Sequence, residues 1–322
     1  MAASDGLLVA VRAVHYGATI VLFGEMVFAL IVNARSKRGM PPEERAGDAA
    51  YRRSCRVAVP AWALMVISGA CWLALMTGQM SGESLGAIKA AAIATVLGST
   101  VFGQAWSFRA LMTLVLALLW VILRRGPPRG PWLPVLSVGV VCVLLVGLAW
   151  AGHANSEVGA HGLIHHTSDA THLLAAGVWL GGLAPLAAVL GGLGASPTTR
   201  EIDKCAEIAV RFGNWAALSV GVLVLSGIAN AYYLIPGPGA LPATSYGNIL
   251  LAKLLLFALM LVVASVNRTR LTTAMLANEH DGRARVDAVR RLRRNVWVEQ
   301  ALGVGVVFLV ATLGVTPPPM RI

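Results

Sequence analysis

Charge is what this 322-residue chain has least of. Asp, Glu, Lys and Arg make up 13% of it, where soluble domains carry roughly 25%. With 57% hydrophobic residues and a mean hydropathy of +0.71, that deficit excludes a water-soluble fold of this size. Acidic side chains are the scarcer sign, 15 against 26 Lys and Arg, which leaves a net charge of +11. No basic stripe interleaved with exposed aromatics accompanies the charge, so nucleic acid is excluded as a partner. The four cysteines (Cys55, Cys71, Cys142, Cys205) form no CxxC and no closely spaced pair. They read as small apolar packing residues, with Cys71 and Cys142, inside apolar runs, the two that a soft-metal path would use. No phosphate-binding loop and no soluble nucleotide domain is visible, which removes ATP coupling. The first apolar run is long and ends without a small-residue cleavage site, so no cleaved leader is expected.

What the chain has instead is a series of apolar runs approaching the ~20 residues needed to cross a ~30 Å hydrocarbon core. Eight spanning helices are expected, over about 7–34, 54–79, 109–124, 131–151, 169–193, 211–235, 248–268 and 296–315. The fold class is all-α and polytopic, with the lipid bilayer as its solvent. Four connections hold 21 of the 26 basic residues: Arg35 to Arg56, Arg124 to Arg129, Arg200 to Arg211, and Arg268 to Arg294. The alternate connections hold almost none. By the positive-inside rule the basic loops are cytoplasmic, so both termini and the loop 152–168 are periplasmic. Residues 84–105 are read as an outer interfacial or re-entrant segment, because a ninth span there would put Arg124, Arg125 and Arg129 outside.

The chain also repeats itself. His15 and Gly24 recur 157 residues later as His172 and Gly181, and Arg53 and Ser68-Gly69 recur 158 later as Arg211 and Ser226-Gly227. Thr100, Gly103 and Arg109 recur 144 later as Thr244, Gly247 and Lys253. Four helices per half make the expected repeats parallel, about an axis along the membrane normal, with a site between the halves. The divisions are 1–151 for the first repeat, 152–168 for a histidine-rich loop and 169–322 for the second repeat.

Five of the seven histidines lie between residues 152 and 172: His153, His161, His165, His166 and His172. Imidazole is the commonest protein ligand of transition metals. On a helix, His161, His165, Asp169 and His172 fall at about 0°, 40°, 80° and 20°, on one face. His and carboxylate one turn apart chelate a divalent metal, or the carboxylate orients a ligating ring. His166 points elsewhere and His153 approaches from the fourth helix. The competing reading of His161, His165 and His166 is a solvated, polar helix entrance. His15 lies deep in the first apolar run, where ionisable residues face a bundle interior; its alternative is a hydrogen-bonded packing histidine. Arg12 and Glu25 share that helix, as partners of other buried groups or as part of the route. Arg109 and Lys253 either snorkel to the interface or neutralise a carboxylate or anionic ligand. Met76 and Met80, one turn apart, are thioethers of the kind Cu(I) prefers, or core filler. Trp150 and Trp179 anchor helix ends or pack, and Gly177-xxx-Gly181 lets another helix approach closely.

Gly152-His153-Ala154, then Asp169-Ala-Thr-His172 through Trp179-Leu-Gly181-Gly182-Leu183, resembles the signature of the bacterial copper resistance protein D family. Arg211-Phe212, Ser226-Gly227, Thr244-x-Tyr246-Gly247, Lys253 and Asn267-Arg268 fit the same pattern. The family's defining domain corresponds to about 169–268. The resemblance implies an inner-membrane protein that moves copper from periplasm to cytoplasm and is not an enzyme. It also implies a small periplasmic copper-binding partner, here expected as a separate protein. His172, then His153 and Trp179, carry the likeness; His161, His165 and His166 do not. A second family, haem-binding and porphyrinogen-oxidising, is similar at His-x6-Trp-x-Gly-Gly and the downstream Lys. Haem held by His15 and His172 is therefore the runner-up, and a copper sensor or assembly scaffold without flux is the third reading.

Overall fold

The computed structural model describes residues 2–36, 56–124, 132–149, 159–194, 197–276 and 282–319. Among them every regular element is a helix. The first half consists of α1 (Ala2–Ser36), α2 (Ala58–Ser81), a 3-10 turn (Leu85–Ala87), α3 (Ala90–Ser99), α4 (Val101–Arg124) and α5 (Trp132–Val146). In the second half, α6 (Gly159–Ala176) runs through a π-turn (Gly177–Gly181) into α7 (Gly182–Gly191). Then come α8 (Thr199–Leu234), the short α9 (Ala240–Ala243) and α10 (Ser245–Val266). A second π-turn (Asn267–Leu271) leads from α10 into α11 (Thr272–Leu276), and α12 (Gly282–Leu313) ends the series.

Seven helices among the described residues are long and apolar enough to span. The expected fourth span, 131–151, appears as α5, 15 residues or about 22 Å, closed by turns at 147–149. The expected sixth and eighth spans start 12 and 14 residues too late: their helices begin at Thr199 and Gly282, not 211 and 296. The reason is physical. Hydropathy marks only the stretch that lies in hydrocarbon, whereas Arg, Lys and Glu are good helix formers and continue the helix into water. The α8 start is fixed by a capping box in which Thr198 and Glu201 satisfy each other's backbone N–H.

Residues 84–105 do not form one continuous element. α3 has ten residues, about 15 Å, and stops at Thr100, which is extended at φ −117° and ψ 147°. The Thr100 hydroxyl donates to the Val96 carbonyl at 2.7 Å and accepts from the Gly103 N–H at 2.8 Å, turning the chain into α4. A side chain on Gly103 would overlap the Val96–Leu97 backbone. The α9–α10 corner is built alike: Thr244 donates to Ala240 at 2.8 Å and accepts from Gly247 at 3.0 Å, and Gly247 abuts Leu241.

α1 is the axle of the bundle, packed against α2, α5, α7, α12 and the first π-turn. Gly24 and Gly181 meet backbone to backbone: a methyl on Gly24 would overlap Gly181 and Gly182, and one on Gly181 would overlap the Ile20 carbonyl. Gly177 likewise admits the Phe23 ring. The close approach expected of Gly177-xxx-Gly181 is thus realised, with α1 as the partner. Leu22, Leu116, Val141, Leu144, Leu145 and Leu190 fill the interior around it.

Candidate functional site

α6 and α8 run side by side and pair their polar residues in a ladder. His172 meets Ser226, with Nδ1 and Oγ 3.0 Å apart. One turn nearer the start of α6, Asp169 accepts from Asn230 Nδ2 at 3.0 Å. One step further the His165 ring stacks on Tyr233, centroids 5.0 Å apart and planes 11° apart. Residues 165, 169 and 172 share one face of α6 because 100° per residue brings i, i+4 and i+7 together. Residues 226, 230 and 233 share the facing side of α8 for the same reason. The common face expected for His165, Asp169 and His172 is present, and it is turned onto α8.

Hydrogen bonding fixes the His172 tautomer. The Ser226 hydroxyl gives its proton to the Val222 carbonyl at 2.6 Å, so it accepts from His172, and Nδ1 carries the hydrogen. Nε2 then holds the lone pair. The Leu223 carbonyl is a further hydrogen-bond partner of the ring, and Lys253 is the charge it senses. Lys253 also lies within electrostatic reach of Asp169, as do His165, His166 and Tyr246. Lys253 is half-buried, and the Asp169 carboxylate is the charge it senses.

α1 and α2 form a corresponding ladder with different chemistry. His15 Nδ1 donates to the Met65 carbonyl and to Ser68 Oγ, both at 3.1 Å. Its Nε2 accepts from Arg109 at 2.8 Å, and Trp72 and Trp106 flank the ring, each with its centroid 5.6 Å away. Both ring nitrogens are engaged. Arg109 does not snorkel: it is 7% exposed and also donates to the Leu144 carbonyl. Arg12, on the turn before His15, lies 4.9 Å over Trp72 and bonds Tyr16 Oη at 3.0 Å. The buried cation Arg12 thus occupies the place that Asp169 holds one turn before His172.

The other expected residues separate. His153 lies outside the described residues, as do Trp150 and Cys55, and the side chain of His161, within α6, lies outside them too. His166 is half-buried beside Asp169. On α2, Met76 packs against the core while Met80 is exposed. Cys71 is exposed, Cys142 half-buried and Cys205 buried, none of them in a disulfide. Among the described residues no three His, Cys, Asp or Glu side chains converge as a ready-made metal site.

Sequence reasoning passed over one polar group. Glu299 on α12, 3% exposed, accepts hydrogen bonds from Asn267 Nδ2 and from the Trp179 side chain. Asn267 Oδ1 in turn accepts from Asn295 Nδ2 at 2.9 Å. Trp179 packs edge-on against Phe257 and is 2% exposed, so it belongs to the interior and not to a helix-end anchor. The available signal was a lone Glu within an apolar run.

Two family models match the chain: copper resistance protein D-like, N-terminal domain, over residues 1–163, and copper resistance protein D, over residues 206–313. Copper resistance protein D of Pseudomonas syringae pv. tomato is 32% identical, covering 98% of both chains. The chain belongs to the copper resistance protein D family. The Escherichia coli inner membrane protein YebZ is 26% identical over 96% of this chain and 98% of its own. The Bacillus subtilis copper transport protein CutJ is 28% identical over 83% of this chain and 47% of its own length. No solved structure matches. The family resemblance is thereby upheld, and two of these three relatives carry the names of copper resistance and transport proteins.

Proposed function

We propose that this multi-pass protein of the bacterial inner membrane carries copper ions from periplasm to cytoplasm and so contributes to copper homeostasis. One observation carries the reading: His172, half-buried, holds an Nε2 lone pair on the same face of α6 as Asp169 and His165. Imidazole accepts both copper oxidation states, and a second hydrogen bond from the far ring nitrogen is how ligating histidines are held. Asp169 supplies a carboxylate on the same face, with Lys253 as the cation that balances it until a metal ion arrives. His153, His161 and His166 form the collecting approach from the periplasm, where a separate copper-binding protein delivers the ion, and Met76 and Met80 are an accessory soft pair.

The carrier is built from two parallel four-helix repeats with α5 as the eighth span and both termini periplasmic. Three matched features support this plan: the two histidine–serine contacts, the two threonine–glycine corners, and the meeting of Gly24 with Gly181. Equivalent residues touch one another only where a two-fold axis passes between them. The halves differ in use. With Arg12 and Arg109 around it, His15 serves packing, and the cation route runs on the His172 side.

Copper accumulation in cells expressing His172→Ala tests the proposal. Accumulation should be lost while the membrane content of folded protein is unchanged; normal accumulation by a well-expressed variant refutes it. A visible spectrum of the purified protein accompanies the assay, and a Soret band without copper would move the reading to haem.

A further inference from the structure

Glu299 on α12 is a buried ionisable group that the copper route described above does not use. Glu299 is held where two π-turns meet: Trp179 comes from the turn Gly177–Gly181 and Asn267 from the turn Asn267–Leu271. Such turns are rare in helices and concentrate at functional positions. Trp179 lies seven residues beyond His172 on the same helical run, about 10 Å deeper along the axis. The polar group therefore stands one step inward from the proposed copper ligand.

Nothing around Glu299 neutralises it. Its partners are the Asn267 amide and the Trp179 side chain, with Asn295 behind Asn267, and none of the three titrates. Among the described residues no Lys, Arg or His pairs with it and no second carboxylate couples to it. An isolated carboxylate in a low-dielectric interior is costly when charged. The cheap remedy is a proton, and the surroundings suit one. Both contacts on the carboxylate are N–H groups, which leave a metal cation no second oxygen.

The two amides also serve either protonation state. As placed, Asn267 Nδ2 donates to Glu299 and Asn267 Oδ1 accepts from Asn295, which suits a carboxylate. Turning both amides over puts Asn267 Oδ1 toward Glu299 and its NH2 toward Asn295 Oδ1, which suits a carboxylic acid. Carried back by the repeat offsets of 157 and 144, Trp179 and Asn267 fall on Leu22 and Leu123. The polar group thus belongs only to the half that carries Asp169 and His172.

We infer that Glu299 is the carrier's proton-binding site, taking up a proton on one oxygen and releasing it to water as the metal ion occupies or leaves the His172 station. No bond other than O–H is made or broken, and the second charge offsets that of the metal. The inference rests on the copper-carrier reading for its coupling, though not for the proton site itself.

Difference infrared spectroscopy on the full-length protein in lipid vesicles tests both parts. In the metal-free protein, a pH step should produce a protonated-carboxyl band that disappears in Glu299→Gln and shifts in Asn267→Leu. Cuprous ion added to the native protein should change the same band, and His172→Ala should abolish that change while keeping the pH-driven band. A carboxyl band unaltered in Glu299→Gln overturns the proton site. Stoichiometric copper binding that leaves the band unmoved overturns the coupling. Absence of copper binding by the native protein refutes the carrier reading instead, and the metal-free titration still decides the fate of Glu299. Should Glu299→Gln fail to fold, Glu299→Asp must retain the band at a shifted position; an unshifted band counts against the assignment.

Discussion

Gly24→Ala is the most severe small change that the structure identifies. The added methyl lands on the Gly181 carbonyl carbon, the Gly181 Cα and the Gly182 nitrogen. All three are backbone atoms inside a packed turn, so no side-chain rotation relieves the overlap, and α1 must lift away from the π-turn. Overpacking by one methyl(ene) costs about 1–3 kcal/mol, and rigid neighbours on every side put this site at the upper end. Gly17→Ala on the same helix is the control. Its methyl meets Val307 Cγ1 at 4.0 Å, an ordinary contact, and replacing a helical glycine gains about 0.5–1 kcal/mol. That gain is common to both helical positions, so the two variants should differ by about 3 kcal/mol, seen in a circular-dichroism melt of detergent-purified protein as roughly 5–10 °C between midpoints. Midpoints within about 2 °C of each other would show that α1 and the π-turn do not touch in this way.

Three further outcomes follow from named contacts. Ser226→Ala removes the acceptor that orients His172 and should weaken copper binding by roughly 10–100-fold, whereas Ser68→Ala at His15 should leave it unchanged; equilibrium titration with cuprous ion separates the two. Arg109→Leu leaves the His15 Nε2 and the Leu144 carbonyl without a donor and should cost about 3 kcal/mol of stability, read by thermal melting, with copper stoichiometry kept in the folded fraction. Asp203→Asn weakens the link from α8 to Arg285, a 3% exposed guanidinium that also donates to the Met275 carbonyl. Because Asp203 is itself more than half exposed, the loss should be only about 1 kcal/mol, and a larger drop would mean that the pair is shielded from solvent.

The residues that were legible in the sequence were those that recur. His15 with His172, and Ser68-Gly69 with Ser226-Gly227, stood out by offset alone, and each histidine is now seen beside its own serine. The partners that give the two copies different characters were not legible. Nothing in the spacing says that Asp169 faces Asn230 or that Arg12 faces Trp72, because helix-to-helix register depends on crossing geometry and not on composition. Helix ends were misjudged wherever arginines and glutamates carry a helix past the hydrocarbon, as at Thr199 and Gly282. The π-turns left no pattern either: one lies in an apolar run, Gly177–Gly181, and the other in a polar helix end, Asn267–Leu271. Glu299 was visible as a charge in an apolar helix, yet only Asn267 and Trp179, brought in from two other helices, make it a site.

The arginines about His15 bear on how many lanes the proposed two-repeat carrier would have. A symmetric pair of histidine stations would let two ions travel side by side, or let one leak past while the other is held. Arg12 and Arg109 put two buried positive charges into one lane, and no carboxylate pairs with either among the described residues. Coulomb repulsion at short range and low dielectric then bars a metal cation from it. In the proposed two-repeat carrier, Arg12 standing where the second half has Asp169 is a charge reversal that leaves a single track for the metal ion.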